Sequence, residues 1–387
     1  MIASAISIGM GASVGPEVAL GAMGTALGCT MGCRWRRGGP SQSGPILVDD
    51  DERNGETSDE REKHGFLSYL LPDFSRDKSM CVLDGMAAAF GAIFPNQLLS
   101  PLLLFELGGH WGHGGRFSLV ETLARTGISA TFSYALFTGF EDRTLLDITV
   151  LPAAAYDVLP IVQTRLLVYA AGMGCFCGLV GFVGFLFLAV SKVVGALVST
   201  KLNDLGERMG LGPNVLGKLL TPMIGGVVHG LLVVAAPLNL SDGSEQMSLI
   251  ITNGKELGKE TIIVSGLLKL LSMSVCIGFG FIGGPFFPLI FSGACVGSAI
   301  NLIIPEIPAL VTVPCCLVAV ATSILPGIFT FTILSSFIFV LGGPLTAPVF
   351  IACIYSSLRD GFGTSLADQS HCEKWRRCLI LIKCVSW

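Results

Sequence analysis

The chain has 387 residues, 51% of them hydrophobic and only 13% charged, with 49 glycines and a formal net charge of −4. Soluble domains carry about 25% charged residues, so the composition excludes one and describes an integral membrane protein. No basic patch survives outside short loops, which excludes nucleic acid as a partner.

In chain order, Met1 to Cys33 is apolar without an early basic region, and reads as membrane-embedded helix rather than a cleaved leader. It enters the bilayer, turns at residues 11–16 and leaves through residues 18–27 as a second helix. Arg34, Arg36 and Arg37 then mark a cytoplasmic end. Residues 34–80 form an acidic polar loop, carrying Asp49, Asp50, Asp51 and Glu52, whose composition predicts disorder. Residues 81–357 are the transmembrane core. Within it, residues 83–107 predict two short helices interrupted by Pro95 and Pro101, with Ala87, Ala88 and Ala89 allowing close packing. Residues 119–138 carry Glu121 and Arg125 at a spacing that lets them pair on one helix face, near the membrane interface. Residues 165–199 are interrupted only by Lys192 and exceed one perpendicular crossing, so a tilted long helix is expected. Residues 201–218 read as a polar connector, 215–237 as a helix close-packed at Gly225 and Gly226, 261–281 as a helix entering a break, and 286–304 as its continuation. Residues 309–355 give two or three more segments, broken at Pro326, at Gly342 to Pro344 and at Pro348. Residues 358–387 are a polar tail too short to span.

Two glycine and proline clusters organise this pattern. Gly283-Gly284-Pro285-Phe286-Phe287-Pro288 cannot continue a regular helix, yet no charged residue lies between Leu271 and Ile304. Gly15-Pro16 has the same outline near the start: Gly21-Ala22 follows Pro16 by the interval at which Gly293-Ala294 follows Pro288. Such a pair predicts two halves of one fold, each giving a broken helix to a shared site near the bilayer midplane. Unpaired N–H groups and the positive macrodipole end at two helix starts favour an anion there.

Other clusters carry less. Cys175, Cys177, Cys276, Cys295, Cys315, Cys316 and Cys353 lie in apolar runs, where a thiol packs as a small hydrophobe. Neither Cys29 with Cys33 nor His371, Cys372 and Cys378 show zinc-ligand spacing. His110 and His113 beside Trp111 read as an interfacial loop in preference to a metal pair, and His229 as a hydrogen-bonded structural histidine in preference to a proton relay. Gly254 to Lys259 has one residue too few between its glycines for a phosphate loop. No acid pair, Ser/His pair or His-Glu-x-x-His spacing occurs in the membrane stretches, so neither an enzyme nor a metal or organic cofactor is expected.

Gly11-Ala12-Ser13-Val14-Gly15-Pro16-Glu17 resembles the helix-start motif of CLC chloride channels and chloride/proton antiporters, and Gly283-Gly284-Pro285-Phe286-Phe287-Pro288 resembles their G-G-x-F-x-P motif. Ala87 to Phe90 running to Glu106, and Pro344-Leu345-Thr346-Ala347, are similar to that family's dimer-side helices. The resemblance implies an all-α, polytopic protein with inverted-repeat architecture and broken helices, a homodimer in the lipid bilayer with one anion pore per protomer. By motif position the anion would sit at Ser13, Val14, Gly15, Phe286 and Phe287. Pro285 removes one amide the family often supplies. The chain begins at what resembles the family's fifth helix, and lacks both the loop bearing the pore serine and the final helix with the pore tyrosine, so truncation at both ends is expected.

The leading reading is a passive chloride channel. The alternatives are a proton-coupled chloride antiporter and a non-conducting truncated subunit. In the antiporters of the family a glutamate directly precedes the Gly-Pro pair, and here that residue is Val14; Leu107 stands after Glu106, where a second, inner glutamate is expected. Glu17 and Glu106 are the remaining candidates for gating or coupling. Counted along a helix, Glu17 lies almost a full turn from Val14 and is expected to point away from the pore.

Overall fold

The computed structural model describes residue 7 and residues 11–37, 78–94, 96–108, 119–140, 164–210, 212, 215–325 and 327–366. The expected loop at 34–80 and tail from 358 are shorter than the sequence suggests, since residues 34–37, 78–80 and 358–366 are helical; residues 38–77, His110, His113 and 367–387 lie outside the described residues.

Twelve α-helices occur among the described residues: α1 (Glu17–Arg37), α2 (Lys78–Gly91), α3 (Leu99–Gly108), α4 (Leu119–Phe140), α5 (Thr164–Arg208), α6 (Val215–Ala235), α7 (Ser244–Leu257), α8 (Lys259–Gly278), α9 (Phe286–Ile303), α10 (Ala309–Thr322), α11 (Ile328–Ile338) and α12 (Gly343–Leu366). Four of them, α5, α6, α8 and α9, are long and apolar enough to cross a membrane. The chain divides into two compact units, one formed by residues 20–145 and the other by residues 1–19 with 146–387.

In the unit of residues 20–145, small residues let helices touch backbone to backbone. Gly24 and Gly28, one turn apart on α1, face Gly85 and Cys81 of α2 so closely that a Cβ on either would meet a carbonyl oxygen. Ser100 of α3 donates to the Ala87 carbonyl at 2.7 Å. The Arg125 guanidinium of α4, placed by spacing opposite Glu121, reaches across to Asp84 of α2 at 3.3 Å. Ser129 adds a bond to the Asp84 carbonyl at 2.8 Å.

The other unit is built around α10, in which every residue from Leu310 to Thr322 is buried. A helix apolar on all sides is stable only when other helices enclose it; here α5, α9, α11 and α12 do so. Gly293 and Gly297, one turn apart on α9, permit the closest approach: a Cβ at Gly297 would stand 2.6 Å from the Val313 Cα.

Two sequence expectations change. The polar stretch read as a connector from Lys201 is the end of α5, which runs unbroken for 45 residues to Arg208. Charged residues favour a solvated helix as readily as a loop, and Arg208 in the last turn suits the negative end of the dipole. Pro348 does not break the chain but lies inside α12. It falls in the second turn, where its missing N–H forfeits a single intrahelical bond.

Candidate functional site

The two glycine-proline clusters meet. Gly15 and Gly284 form an isolated antiparallel bridge, with Gly15 N–H donating to the Gly284 carbonyl at 2.8 Å and Gly284 N–H to the Gly15 carbonyl at 2.9 Å. Each pair ends one residue before a helix: Pro16 precedes Glu17 at the start of α1, and Pro285 precedes Phe286 at the start of α9. The structural correspondence is therefore Pro16 with Pro285, three residues from the match that spacing to the Gly-Ala pairs indicates. A helix tolerates proline just ahead of its first turn because that N–H has no intrahelical acceptor.

Glu17 fills the junction. Its side chain is buried, and Oε1 accepts the N–H of Phe286 at 2.7 Å. Its other oxygen, Oε2, has no hydrogen-bond partner. The absence of side chains at Gly15 and Gly284 creates the space, since a Cβ at either would collide with the Glu17 side chain. This corrects the expected direction of Glu17. The helical count from Val14 fails because α1 begins only at Glu17 and residues 11–16 are a loop. From the first helical position the side chain reaches the neighbouring helix start rather than projecting away from it.

The remaining candidate positions are distributed as follows. Val14 is fully buried against Ala12 and Cys276, and its N–H donates back to the Ala12 carbonyl at 2.8 Å. Ser13 is fully buried with an unpartnered hydroxyl. With Gly15 committed to Gly284 and Phe286 to Glu17, the backbone donors of Val14, Gly15 and Phe286 already have protein acceptors. The Phe287 N–H, one residue into α9, lies in the first turn, where a helix offers no intrahelical acceptor. The Phe286 ring stacks on Phe331 of α11 at 5.4 Å between centroids and meets Phe287 edge-on at the same separation, which fixes the orientation of the α9 start. Glu106 lies in the last turn of α3, half-buried, in the unit of residues 20–145.

Sequence reasoning read His229 as hydrogen-bonded, as it is, but missed the other polar groups beneath the loop. The Gly11 carbonyl receives the Ser241 N–H at 2.9 Å and His229 Nε2 at 2.9 Å. A carbonyl oxygen only accepts, so Nε2 carries a proton, while Nδ1 meets the Ser272 hydroxyl. Lys269 of α8, fully buried, donates to the Ser241 carbonyl at 2.7 Å and to the Asn239 carbonyl at 3.2 Å. The signal was present: a lone lysine inside an apolar helix is a functional-site pointer. Among the described residues no group of three or more His, Cys, Asp or Glu side chains is arranged to hold a metal.

A glutamate-bearing junction of two broken helices in an all-helical membrane protein defines an ion-transport fold. The model of the voltage gated chloride channel family matches residues 1–359, and the chain belongs to that family. It is an integral membrane protein with several transmembrane helices. Among solved structures, it is similar to a slow cyanobacterial Cl⁻/H⁺ antiporter, with a TM-score of 0.60, 16% identity, and 91% of this chain and 69% of that one covered. It is similar to a CLC-type fluoride/proton antiporter at a TM-score of 0.59 and 16% identity, over 90% of this chain and 71% of that one. At such identity these likenesses establish the fold alone. Over 98 residues the chain is 30% identical to YfeO of Escherichia coli (strain SMS-3-5 / SECEC) and to YfeO of Escherichia fergusonii, spanning only 23% of the length of each.

Proposed function

We propose that the protein carries chloride or a similar small anion across a membrane, and that the anion and the Glu17 carboxylate are alternative occupants of the α9 start. The observation that supports this reading is the 2.7 Å bond from the Phe286 N–H to Glu17 Oε1. A carboxylate on a helix-start amide is itself a bound anion. For another anion to take its place the carboxylate must leave, and an unpaired charge in this buried setting is costly unless it takes up a proton. Protonated Glu17 releases the amide to the anion; when it loses that proton, its return expels the anion. The cycle is an anion/proton exchange with Glu17 as the coupling group, in line with the two antiporters whose fold the chain shares. The protomer is proposed to work in a lipid bilayer as one half of a homodimer.

A passive channel is the second reading, favoured by fully buried Val14 directly before the Gly-Pro pair, where no carboxylate enters the path. Reconstitution into liposomes under a chloride gradient separates the two. Chloride efflux with proton uptake at a fixed ratio, uncoupled in Glu17→Gln, is the expected result. Efflux indifferent to the pH gradient in the unmutated protein would establish the channel instead, and no flux of any anion would leave only the non-conducting subunit.

A further inference from the structure

We infer that the Lys269 ammonium is the fixed positive charge of this anion path, and that the transported anion and Glu17 are its alternating counter-charges. The inference rests on the anion-transport reading above and adds to it the residue that sets how tightly the anion is held.

The geometry is that of a buried ammonium without an ion pair among the described residues. Lys269 lies in the middle of α8, a membrane-length helix, with no exposed surface. Its three N–H groups face three electron-rich but uncharged acceptors: the Ser241 carbonyl at 2.7 Å, the Asn239 carbonyl at 3.2 Å and the Phe291 ring, whose centroid is 5.0 Å from Nζ. The acidic side chain that acts on it is Asp242, whose Oδ1 is occupied at the start of α7, accepting the Ser244 N–H at 3.1 Å and its hydroxyl at 2.9 Å. Uncharged acceptors stabilise an ammonium but do not neutralise it, and the long-range field persists in a low-dielectric interior.

That field reaches the site. Phe291 lies five residues along α9 from Phe286, about 7.5 Å at 1.5 Å per residue. The contact with the Phe291 ring sets the ammonium beside the second turn of α9. A second route links them mechanically: Ser241 accepts from Lys269 at its carbonyl and donates from its own N–H to the Gly11 carbonyl, where the loop to Gly15 begins. Beside these carbonyls, the Asn239 side chain is fully buried and both its amide atoms lack protein partners. A purely mechanical clamp requires hydrogen-bond donors but no net charge, and this difference is testable.

Two groups are varied in the full-length protein, and chloride affinity is read by titration calorimetry alongside efflux from liposomes. Lys269→Met removes the charge and keeps the length, Lys269→Arg keeps both, and Asp242→Asn keeps the cap oxygen while removing a nearby negative charge. For a charge within about one helix turn or two of the anion, on the order of 10 Å, an effective dielectric constant of about 20 gives about a tenfold change in affinity. Lys269→Met is expected to weaken chloride binding about tenfold, Lys269→Arg to leave it within about twofold, and Asp242→Asn to strengthen it several-fold. Unchanged affinity in Lys269→Met overturns the inference, as does weakening in Asp242→Asn, since a mechanical role has no sign. If Lys269→Met does not fold, the opposite-sign response of Asp242→Asn decides. An unmutated protein that neither binds nor moves chloride fails at the level of the proposed function, and this inference falls with it; normal transport with a charge-indifferent site fails here alone.

Discussion

At residue scale, the junction depends on what Gly15 and Gly284 lack. Gly284→Ala would put a methyl group into the Glu17 carboxylate, so Glu17 is expected to leave the Phe286 amide in that variant. A double-mutant cycle on chloride affinity checks this: Glu17→Gln should have a large effect in the unmutated protein and a much smaller one in Gly284→Ala. Additive effects would show that the two positions do not share the space. His229→Ala removes one of two donors to the Gly11 carbonyl and leaves the buried Ser272 hydroxyl without its ring partner. A loss of about 1–3 kcal/mol is expected, read as a lowered Tm in detergent, and an unchanged Tm would discount the clamp. Glu17 was legible in the sequence as a candidate, but its direction was not. Its position relative to Val14 depends on where the helix begins, and loop residues do not follow a helical count.

At the scale of elements, helix identity followed from composition, whereas helix boundaries and contacts followed from packing. Long apolar runs identified α5, α6, α8 and α9, because bilayer thickness sets a minimum length that few soluble helices reach. The extension of α5 to Arg208 and the continuity of α12 through Pro348 were missed, since polar residues and a second-turn proline are compatible with either state. The close approach of α9 and α10 is the contact most sensitive to side-chain size. Gly297→Leu drives a side chain into the α10 backbone at Val313, which cannot rotate aside as a side chain can. A cost of about 3 kcal/mol or more is expected, measured as early thermal aggregation, against about 0.5 kcal/mol or less for Gly230→Ala, where a Cβ meets open space.

At the scale of the whole molecule, the exposed surface is as informative as the core. On α6, Leu219, Met223, Val227, Leu231 and Val234 form an exposed stripe, and Gly217, Thr221, Gly225 and His229 are buried on the other face. A soluble helix would be oriented the other way, with its polar side outward. This inversion is the mark of a lipid-facing helix. Val227→Arg is expected to cost about 2.5–3.5 kcal/mol of insertion free energy and to lower the yield from the membrane fraction. Thr221→Val, on the protein-facing side, should leave that yield unchanged; equal losses in both would contradict the assignment of faces. Fold class was readable from the sequence because burial in lipid leaves a compositional imprint on every crossing. The Lys269, Asn239 and Gly11 arrangement was not, because nothing local in residues 236–243 records that they lie beneath a loop at residue 11.

The bridge between Gly15 and Gly284 also constrains how the molecule comes to be built. Glu17 and Phe286 are 269 residues apart in sequence. Closing a flexible segment of that length costs about 5 kcal/mol by the logarithmic loop-closure relation, before any contact between its ends compensates. During synthesis the first loop leaves the ribosome long before its partner exists, at about 5–20 residues per second. For at least ten seconds or so the Glu17 carboxylate has no helix start to receive it. The site is thus among the last features to form, and its completion is a natural checkpoint: a nascent chain with Gly15 still unpaired exposes a solvated acidic group within an otherwise apolar assembly.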